Sequence, residues 1–336
     1  MIGVLLVNLG TPDGPDTTSV RRYLREFLMD GRVIDIPYPF RYLLVNGIIA
    51  PFRAPKSAKT YQELWEDRGS PLKFYGEDIC RDLQAHLGDG YAVKLAMRYQ
   101  NPDMKTAMKE MEKLNLTKLI VLPFFPQYAS ATTGSVYERV MELMSSWQTM
   151  PSFSIVNYFY DHPIFAKFFA ERAANYQKEV DFDYYLFSYH GVPERHIRKG
   201  DITKNTCILG TCCEQITEKN HACYRAQCFA TTRLIAKEMG LKEGTYGTAF
   251  QSRLGRDPWL QPYTDETIKK LVKEGKKKVL AFSPAFVSDC LETTIEVGEE
   301  YKELFEEAGG EHWQLVESLN NSPEYVALLE DLVKNS

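Results

Sequence analysis

One histidine and a short run of carboxylates carry the residue types that proton and cation chemistry needs. His190 closes the run Tyr184-Tyr-Leu-Phe-Ser-Tyr189 and is followed at once by Gly191-Val-Pro193. An apolar, aromatic run bounded by Gly and Pro reads as a buried strand ending in a tight turn. In open α/β sheets the ligand crevice lies just past the carboxyl ends of the strands, where an imidazole is well suited to proton transfer. The plainer reading is a strand-end histidine bonded to backbone. A second set follows Pro284-Ala-Phe-Val-Ser288 and comprises Asp289, Glu292, Glu296, Glu299, Glu300 and Glu303. On an α-helix these acids fall within an arc of about 100°. Like charges four apart cost a few tenths of a kcal/mol, so such a ladder does not serve helix stability. A solvated acidic face, or an Asp289–Glu292 capping box, is the structural alternative. Because this helix also begins at a strand's carboxyl end, it and His190 are expected to open onto one crevice, with a path for a cation or for released protons.

A third set is cysteine. Cys207, Cys212, Cys213, Cys223 and Cys228 are five of the seven cysteines and lie within 22 residues. Thiolates at this density suit a metal site, because zinc and iron–sulfur centres both need four soft ligands brought together by a short segment. The spacing C-x4-C-C-x9-C-x4-C lacks the C-x2-C pairs of zinc ribbons and echoes the C-x4-C step of plant-type ferredoxins. The alternative is a loop of reduced cysteines. Cys80 and Cys290 stand apart and read as packing residues.

These groups need a scaffold, and 336 residues with 44% hydrophobic and 25% charged composition supply enough for two α/β units. A net charge of -5 argues against binding nucleic acid, which needs a basic face. Met1-Ile-Gly-Val-Leu-Leu-Val-Asn8 has no basic start and reads as a first strand, not a signal peptide. No apolar stretch reaches the roughly 18 residues of a membrane span, so a cytoplasmic protein is expected. Strands at 2–8, 91–99 and 118–125 alternate with helices near 19–29, 72–87, 104–114 and 136–145, which predicts a parallel sheet with right-handed crossovers. The segment 35–53, with Ile36-Pro-Tyr-Pro-Phe40 and Ile48-Ile-Ala-Pro-Phe52, is too apolar for a surface loop and too broken for a core helix. It suggests the lip of a pocket for a flat apolar ligand or a patch touching a membrane face, or else a helix-turn packed on the sheet.

After residue 145 the pattern restarts. Phe124-Phe-Pro-Gln-Tyr-Ala-Ser130 and Phe282-Ser-Pro-Ala-Phe-Val-Ser288 match at an offset of 158, and Leu9-Gly-Thr-Pro12 matches His190-Gly-Val-Pro193 as a turn. The expected architecture is α/β with two similar Rossmann-like halves, 1–150 and 151–336, each a parallel sheet flanked by helices, facing across a cleft. Strands of the second half are expected at 184–189, 246–251, 278–286 and 312–319.

With these residues in hand, the sequence resembles the ferrochelatases, which insert ferrous iron into a porphyrin to make haem. The resemblance covers nearly the whole chain. It rests on Asn8-Leu-Gly-Thr-Pro12, Gly69-Ser-Pro71, Arg98-Tyr99, Pro126-Gln-Tyr128 with Thr132-Thr-Gly134, Phe187-Ser-Tyr-His-Gly191, Gln251-Ser252, Pro258-Trp-Leu260 with Thr264-Asp-Glu266, and Ser288-Asp-Cys-Leu-Glu-Thr293. It implies a chelatase-type fold and a lyase reaction in which Fe2+ and protoporphyrin IX are substrates. His190 and Glu292 are then the catalytic pair across the porphyrin plane, with Asp289, Glu296 and Glu300 continuing a metal or proton path on a helix widened towards π geometry. Leu9, Arg98, Tyr128 and Trp259 would meet the porphyrin, and Arg53 and Ser70 its propionates. Ferrochelatases often carry His where this chain has Cys290, so a second metal-handling imidazole is missing. The cysteine segment resembles that of bacterial members with an internal [2Fe-2S] cluster, which implies four of the five cysteines as ligands without saying which four. Coproporphyrin is the nearer alternative substrate, and a cobalt chelatase of the corrin pathway shares the architecture. A catalytically silent haem-binding or cluster-based redox sensor is the rival from another class. The resemblance fits a monomer or homodimer, cytoplasmic or peripheral on the inner membrane through the 36–52 lip.

Overall fold

The computed structural model describes residues 1–253, 255 and 257–336. Among these, two four-stranded parallel sheets carry the fold. The first contains β1 (Ile2–Gly10), β2 (Tyr91–Tyr99), β3 (Lys118–Pro123) and β4 (Ser152–Ile155), in the order β2-β1-β3-β4. The second contains β5 (Tyr184–His190), β6 (Tyr246–Gln251), β7 (Lys278–Phe282) and β8 (His312–Leu315), in the order β6-β5-β7-β8. The two sheets repeat one strand order, in keeping with the duplicated α/β unit expected from the matched turns at 9–12 and 190–193. Parallel sheets are covered on both faces, so their strands are continuous apolar runs rather than alternating ones. Val4, Leu5, Leu6 and Val7 of β1 are all fully buried, as are Leu186 and Phe187 of β5.

Proximity groups residues 1–125, 130–158 and 320–336 into one unit and residues 126–129 and 159–319 into the other. In the first, Met104, Met108 and Met111 of the helix Met104–Glu112 pack on Leu5, Leu119 and Val121. That helix starts at Asp103, whose carboxylate accepts from the Thr106 amide, and Asp16 caps the helix Thr17–Leu28 in the same way. The closing helix Pro323–Lys334 belongs to this unit, with Tyr325 edge-on to Phe124. In the second unit the helix Thr264–Lys273 sets Ile268, Leu271 and Val272 against Leu186, Ala249 and Val279.

Two segments differ from the sequence reading. Residues 38–64 form one helical run: an α-helix Tyr38–Leu43, a π segment Leu44–Ile49 and an α-helix Ala50–Leu64. Pro39 falls at the start of the run, where a missing N–H is tolerated, whereas Pro51 follows the π segment closely and Pro55 lies inside the last α-helix, so these prolines do not end the run. Tyr38, Phe40, Tyr42, Leu43, Ile48 and Phe52 of this run are exposed. β4 was not expected, being four half-exposed residues with little apolar signal. No described helix is long and apolar enough to cross a membrane.

Candidate active site

His190 is the last residue of β5. The Gly191 amide donates to the Gln251 carbonyl at 2.8 Å, and a Cβ at position 191 would lie 2.6 Å from that oxygen, so the turn after His190 requires glycine. Trp259 packs against the same glycine, held there by a bridge to Pro193 and by the Leu260 amide donating to the Val192 carbonyl. The imidazole is half-buried and meets Phe286 edge-on at 6.2 Å. Its buried Nδ1 has no hydrogen-bond partner among the described residues. The main-chain carbonyl of His190 accepts from the Tyr224 hydroxyl at 2.8 Å.

The acidic helix is a π-helix over Leu291–Glu300, followed by an α-helical turn Tyr301–Glu307. Its cap is Cys290, whose amide donates to Thr293 Oγ1 at 2.9 Å; the Asp289–Glu292 capping box considered from sequence is not the cap. The expected single face of six acids is also corrected. A π turn takes more residues than an α turn, advancing roughly 80° per residue, which keeps Glu292, Glu296 and Glu300 together and turns Glu299 away, while Asp289 precedes the Cys290 cap and lies outside the helix. Asp289 and Glu299 line a cavity of about 360 Å³ with Thr294, Lys302 and Trp313. Glu292 and Glu296 are half-buried, while Glu299, Glu300 and Glu303 are exposed. Indole Nε1 of Trp313 donates to the Val297 carbonyl at 2.9 Å and fastens the helix to β8.

Glu296 has the densest environment. One carboxylate oxygen accepts from Ser252 Oγ at 2.5 Å and from Gln251 Nε2 at 3.2 Å, and the other accepts from the Tyr301 hydroxyl at 3.1 Å. Ser188 Oγ donates to Gln251 Oε1 at 2.7 Å, which fixes the amide so that Nε2 also reaches the Glu292 carbonyl at 3.1 Å. Ser252 has φ of 64°, a left-handed conformation that costs a non-glycine residue roughly 1–2 kcal/mol. Burial pushes the Glu296 carboxyl above its ordinary range and the nearby Glu292 adds to this, against the opposing pull of Ser252, His190 and Tyr301. The sign for stability follows. Below the unfolded-state value the carboxyl is neutral in both states and costs nothing; as pH rises through the higher folded-state value, the folded protein loses stability relative to the unfolded chain. Glu296→Gln is therefore expected to melt at a higher temperature than the parent at pH 8 and to lose that advantage near pH 4, a comparison made by thermal melts at both values.

The other expected site residues are distributed over both units. Tyr128 is half-buried, and its amide donates to Gln227 Oε1 at 2.6 Å. In the first unit, Leu9 is half-buried near the end of β1, where Gly10 at φ 120° passes close to the Tyr99 carbonyl. Ser70 is buried and hydrogen-bonded to Thr11 at 2.9 Å. Arg98 donates to Ser135 Oγ at 2.7 Å and to Asp30 at 2.8 Å. Burial alone would raise the Asp30 carboxyl, but bonds from Ser135, the Arg32 amide and Tyr99, with the charge of Arg98, hold it below the ordinary range. Arg53 is exposed. Gln251-Ser252 stands in the sequence as a motif without a role, the α-helical projection sets Tyr301 away from the acidic face although its hydroxyl reaches Glu296, and Tyr224 and Asp30 carry no spacing signal.

All seven cysteines are free thiols. Cys212 and Cys213 stand 3.8 Å apart between sulfurs, Cys213 is hydrogen-bonded with Cys223, and Cys207 lies within the electrostatic reach of Cys212 and Cys213. The bond from Cys213 lowers the Cys223 thiol from its ordinary value, whereas burial raises Cys228, which is fully enclosed on the helix Tyr224–Glu238. Among the described residues no three His, Cys, Asp or Glu side chains are gathered as a metal site.

A family model described as ferrochelatase matches residues 1–336. The chain belongs to the ferrochelatase family. Its similarity extends to relatives named ferrochelatase from Legionella pneumophila (strain Lens), 44% identical over 331 residues and 98% of both chains, and from Coxiella burnetii (strain Dugway 5J108-111), 43% identical over 335 residues, covering 100% of this chain and 94% of the relative. Two solved structures share the fold at low identity. SirB from Bacillus subtilis with Fe3+ is 12% identical with a TM-score of 0.52, and the sirohydrochlorin chelatase SirB from Bacillus subtilis subspecies spizizenii in complex with cobalt is 11% identical with a TM-score of 0.53. Each covers 99% of this chain and is itself covered to 94%. Family membership makes the chain a metal chelatase, a lyase of haem biosynthesis whose substrates are ferrous iron and a porphyrin.

Proposed function

We propose that the chain inserts Fe2+ into protoporphyrin IX, with His190 as the base that takes pyrrole protons and with Glu292, Glu296 and Glu300 as the route for protons or iron. The observation that carries this is the end of β5 and the start of the π-helix, where a half-buried imidazole whose Nδ1 has no partner among the described residues lies within electrostatic reach of a carboxylate held by three donors. Insertion removes two N–H protons from the macrocycle as one Fe2+ enters, so charge balances with two protons released. A neutral imidazole is suited to accept them in turn. Glu296, easier to protonate than an ordinary carboxylate, is suited to receive a proton and pass it to the exposed Glu300. Carboxylate and imidazole also suit a ferrous ion. Asp289 stands apart from this route on the cavity side of the helix.

Trp259 and Tyr128, and Leu9 and Arg98 in the first unit, are proposed porphyrin contacts. Ser70 and the exposed guanidinium of Arg53 are proposed for the propionates, since arginine pairs well with carboxylate. Binding energy gathered at such remote groups can bend the ring so that its nitrogen lone pairs face the metal. The exposed aromatic and aliphatic side chains between Tyr38 and Phe52 form a patch suited to peripheral contact with a membrane face, for a protein working in the cytoplasm. The test is anaerobic Fe2+ insertion by the purified protein with protoporphyrin IX and coproporphyrin side by side. A higher kcat/KM for protoporphyrin IX supports the reading, a preference for coproporphyrin reassigns the substrate, and bound porphyrin without turnover favours a carrier or sensor.

The cysteine segment fits an iron–sulfur group by donor chemistry. Four thiols of one loop are soft ligands, and a sulfur separation of 3.8 Å is close to that of two thiolates on one tetrahedral metal with bonds of about 2.3 Å. Cys207, Cys212, Cys213 and Cys223 are the proposed ligands of a [2Fe-2S] cluster; Cys228 sits enclosed in a helix beside Tyr224. When bound, such a cluster supplies a cross-link between the ends of the segment and a one-electron redox couple. Protein purified without oxygen is expected to be reddish-brown with bound iron and sulfide. Cys213→Ser should bleach it and Cys228→Ser should not, as read by visible absorption and iron content.

A further inference from the structure

The orientation of His190 rests on its main chain. Its Nδ1 has no partner among the described residues, so no side-chain bond holds the ring from that edge. Two main-chain bonds hold the strand end instead: the Gly191 amide to the Gln251 carbonyl at 2.8 Å, and the Tyr224 hydroxyl to the His190 carbonyl at 2.8 Å. Tyr224 is buried at 7% exposure and is the first residue of the helix Tyr224–Glu238. Its N-cap is Cys223, the last of the four cysteines proposed as cluster ligands. The Cys228 thiol, one turn on, is also hydrogen-bonded with the Tyr224 hydroxyl. The segment before Cys223 is itself pinned: Asn220 Nδ2 donates to the carbonyls of Cys212 and Gln215 at 2.7 and 2.9 Å, and the Asp201 carboxylate accepts from the Cys207 amide at 2.8 Å.

We propose that Tyr224 is a positioning residue that couples the cysteine segment to the catalytic histidine: the state of the cysteines sets where the helix begins, and the Tyr224 hydroxyl carries that position to the His190 main chain. The coupling rests on the cluster reading above; the positioning role stands without it. A change at Cys223 displaces the helix N-terminus, and a hydrogen bond of this length tolerates little displacement before it weakens. The chelatase would then lose turnover when its cysteine segment is emptied, although none of those cysteines meets substrate.

The experiment compares the parent, Tyr224→Phe, Cys223→Ser and the double variant. Phe preserves the ring and its packing, and thermal melts check that each variant folds. Tyr224→Phe is expected to lower kcat about tenfold, the scale of one good hydrogen bond, with KM for porphyrin within about twofold and the visible spectrum of the cysteine centre unchanged. Cys223→Ser should bleach the spectrum and lower kcat by a similar factor, and the double variant should fall no further than the worse single one. Independently of turnover, acylation of the His190 imidazole, mapped by peptide mass spectrometry, should change in rate in both single variants. Unchanged kcat and acylation in Tyr224→Phe would overturn the positioning role. Effects that multiply in the double variant would overturn the coupling while leaving Tyr224 as a positioning residue. A colourless, iron-free parent protein would remove the cluster reading, and with it the coupling; the Tyr224→Phe result still decides the positioning role.

Discussion

His190→Ala lowers kcat for Fe2+ insertion by about a thousandfold, the middle to upper range for a general acid–base group, and leaves porphyrin affinity within about twofold. The expectation follows from where the ring sits. It ends a strand whose neighbours are fully buried, so removing it leaves the sheet intact; the cost falls on the chemistry and not on the fold. Its turn is built by Gly191 and Trp259 and does not depend on the imidazole. Two measurements check this: initial rates of haem formation at saturating porphyrin, and fluorescence quenching on porphyrin binding. Retention of more than about a tenth of the parent rate would take the base role away from His190 and shift attention to Glu296.

The position of His190 was legible because a strand-end residue is marked by its own neighbours. A six-residue run, apolar or aromatic but for Ser188, then His-Gly-x-Pro, fixes element, end and turn in one local pattern. The duplicated architecture was legible for the same reason, since both halves use matched turns after their first strands. What could not be read depends on long-range geometry. Ser252 and Tyr301 reach Glu296 from a strand end and from the helical turn beyond the π segment, and their 44- and 5-residue separations carry no periodic signal. The α-helical projection failed for Glu299 because the period of the helix, not the spacing of the acids, decides which carboxylates share a face, and for Asp289 because the helix starts only after the Cys290 cap. The helix Pro323–Lys334 groups with the first sheet although it closes the chain, a pairing that a linear division at residue 150 does not anticipate.

The site joins two kinds of constraint. Glu296 is held by three donors, one of them a serine in a strained backbone conformation, and burial makes its charge costly. Such an arrangement lowers stability at neutral pH, and natural proteins keep such features where the group has work to do. Cys290, enclosed directly before this helix, caps it through Thr293. Its thiol is raised by burial and by the neighbouring Glu292. Under the proposed function, proton handling in this chain concentrates on one imidazole and the carboxylates of the π-helix.

Glu292→Gln is the sharper test of that concentration. The substitution keeps the shape of the side chain and leaves the main-chain carbonyl of residue 292 available to Gln251 Nε2, so the helix start survives. Only the charge and the capacity to take a proton are lost. If Glu292 acts on the reacting centre with His190, kcat falls by about a hundredfold or more while porphyrin binding and the thermal midpoint stay close to the parent. Glu300→Gln provides the contrast. Glu300 is exposed on the same π face, where water can replace it as a proton carrier, so its loss should cost less than about threefold. A full rate in Glu292→Gln would exclude the pairing with His190. Equal losses in the two variants would mean that the carboxylates act as a diffuse negative field, in which case raising the ionic strength should depress the parent rate to the same degree.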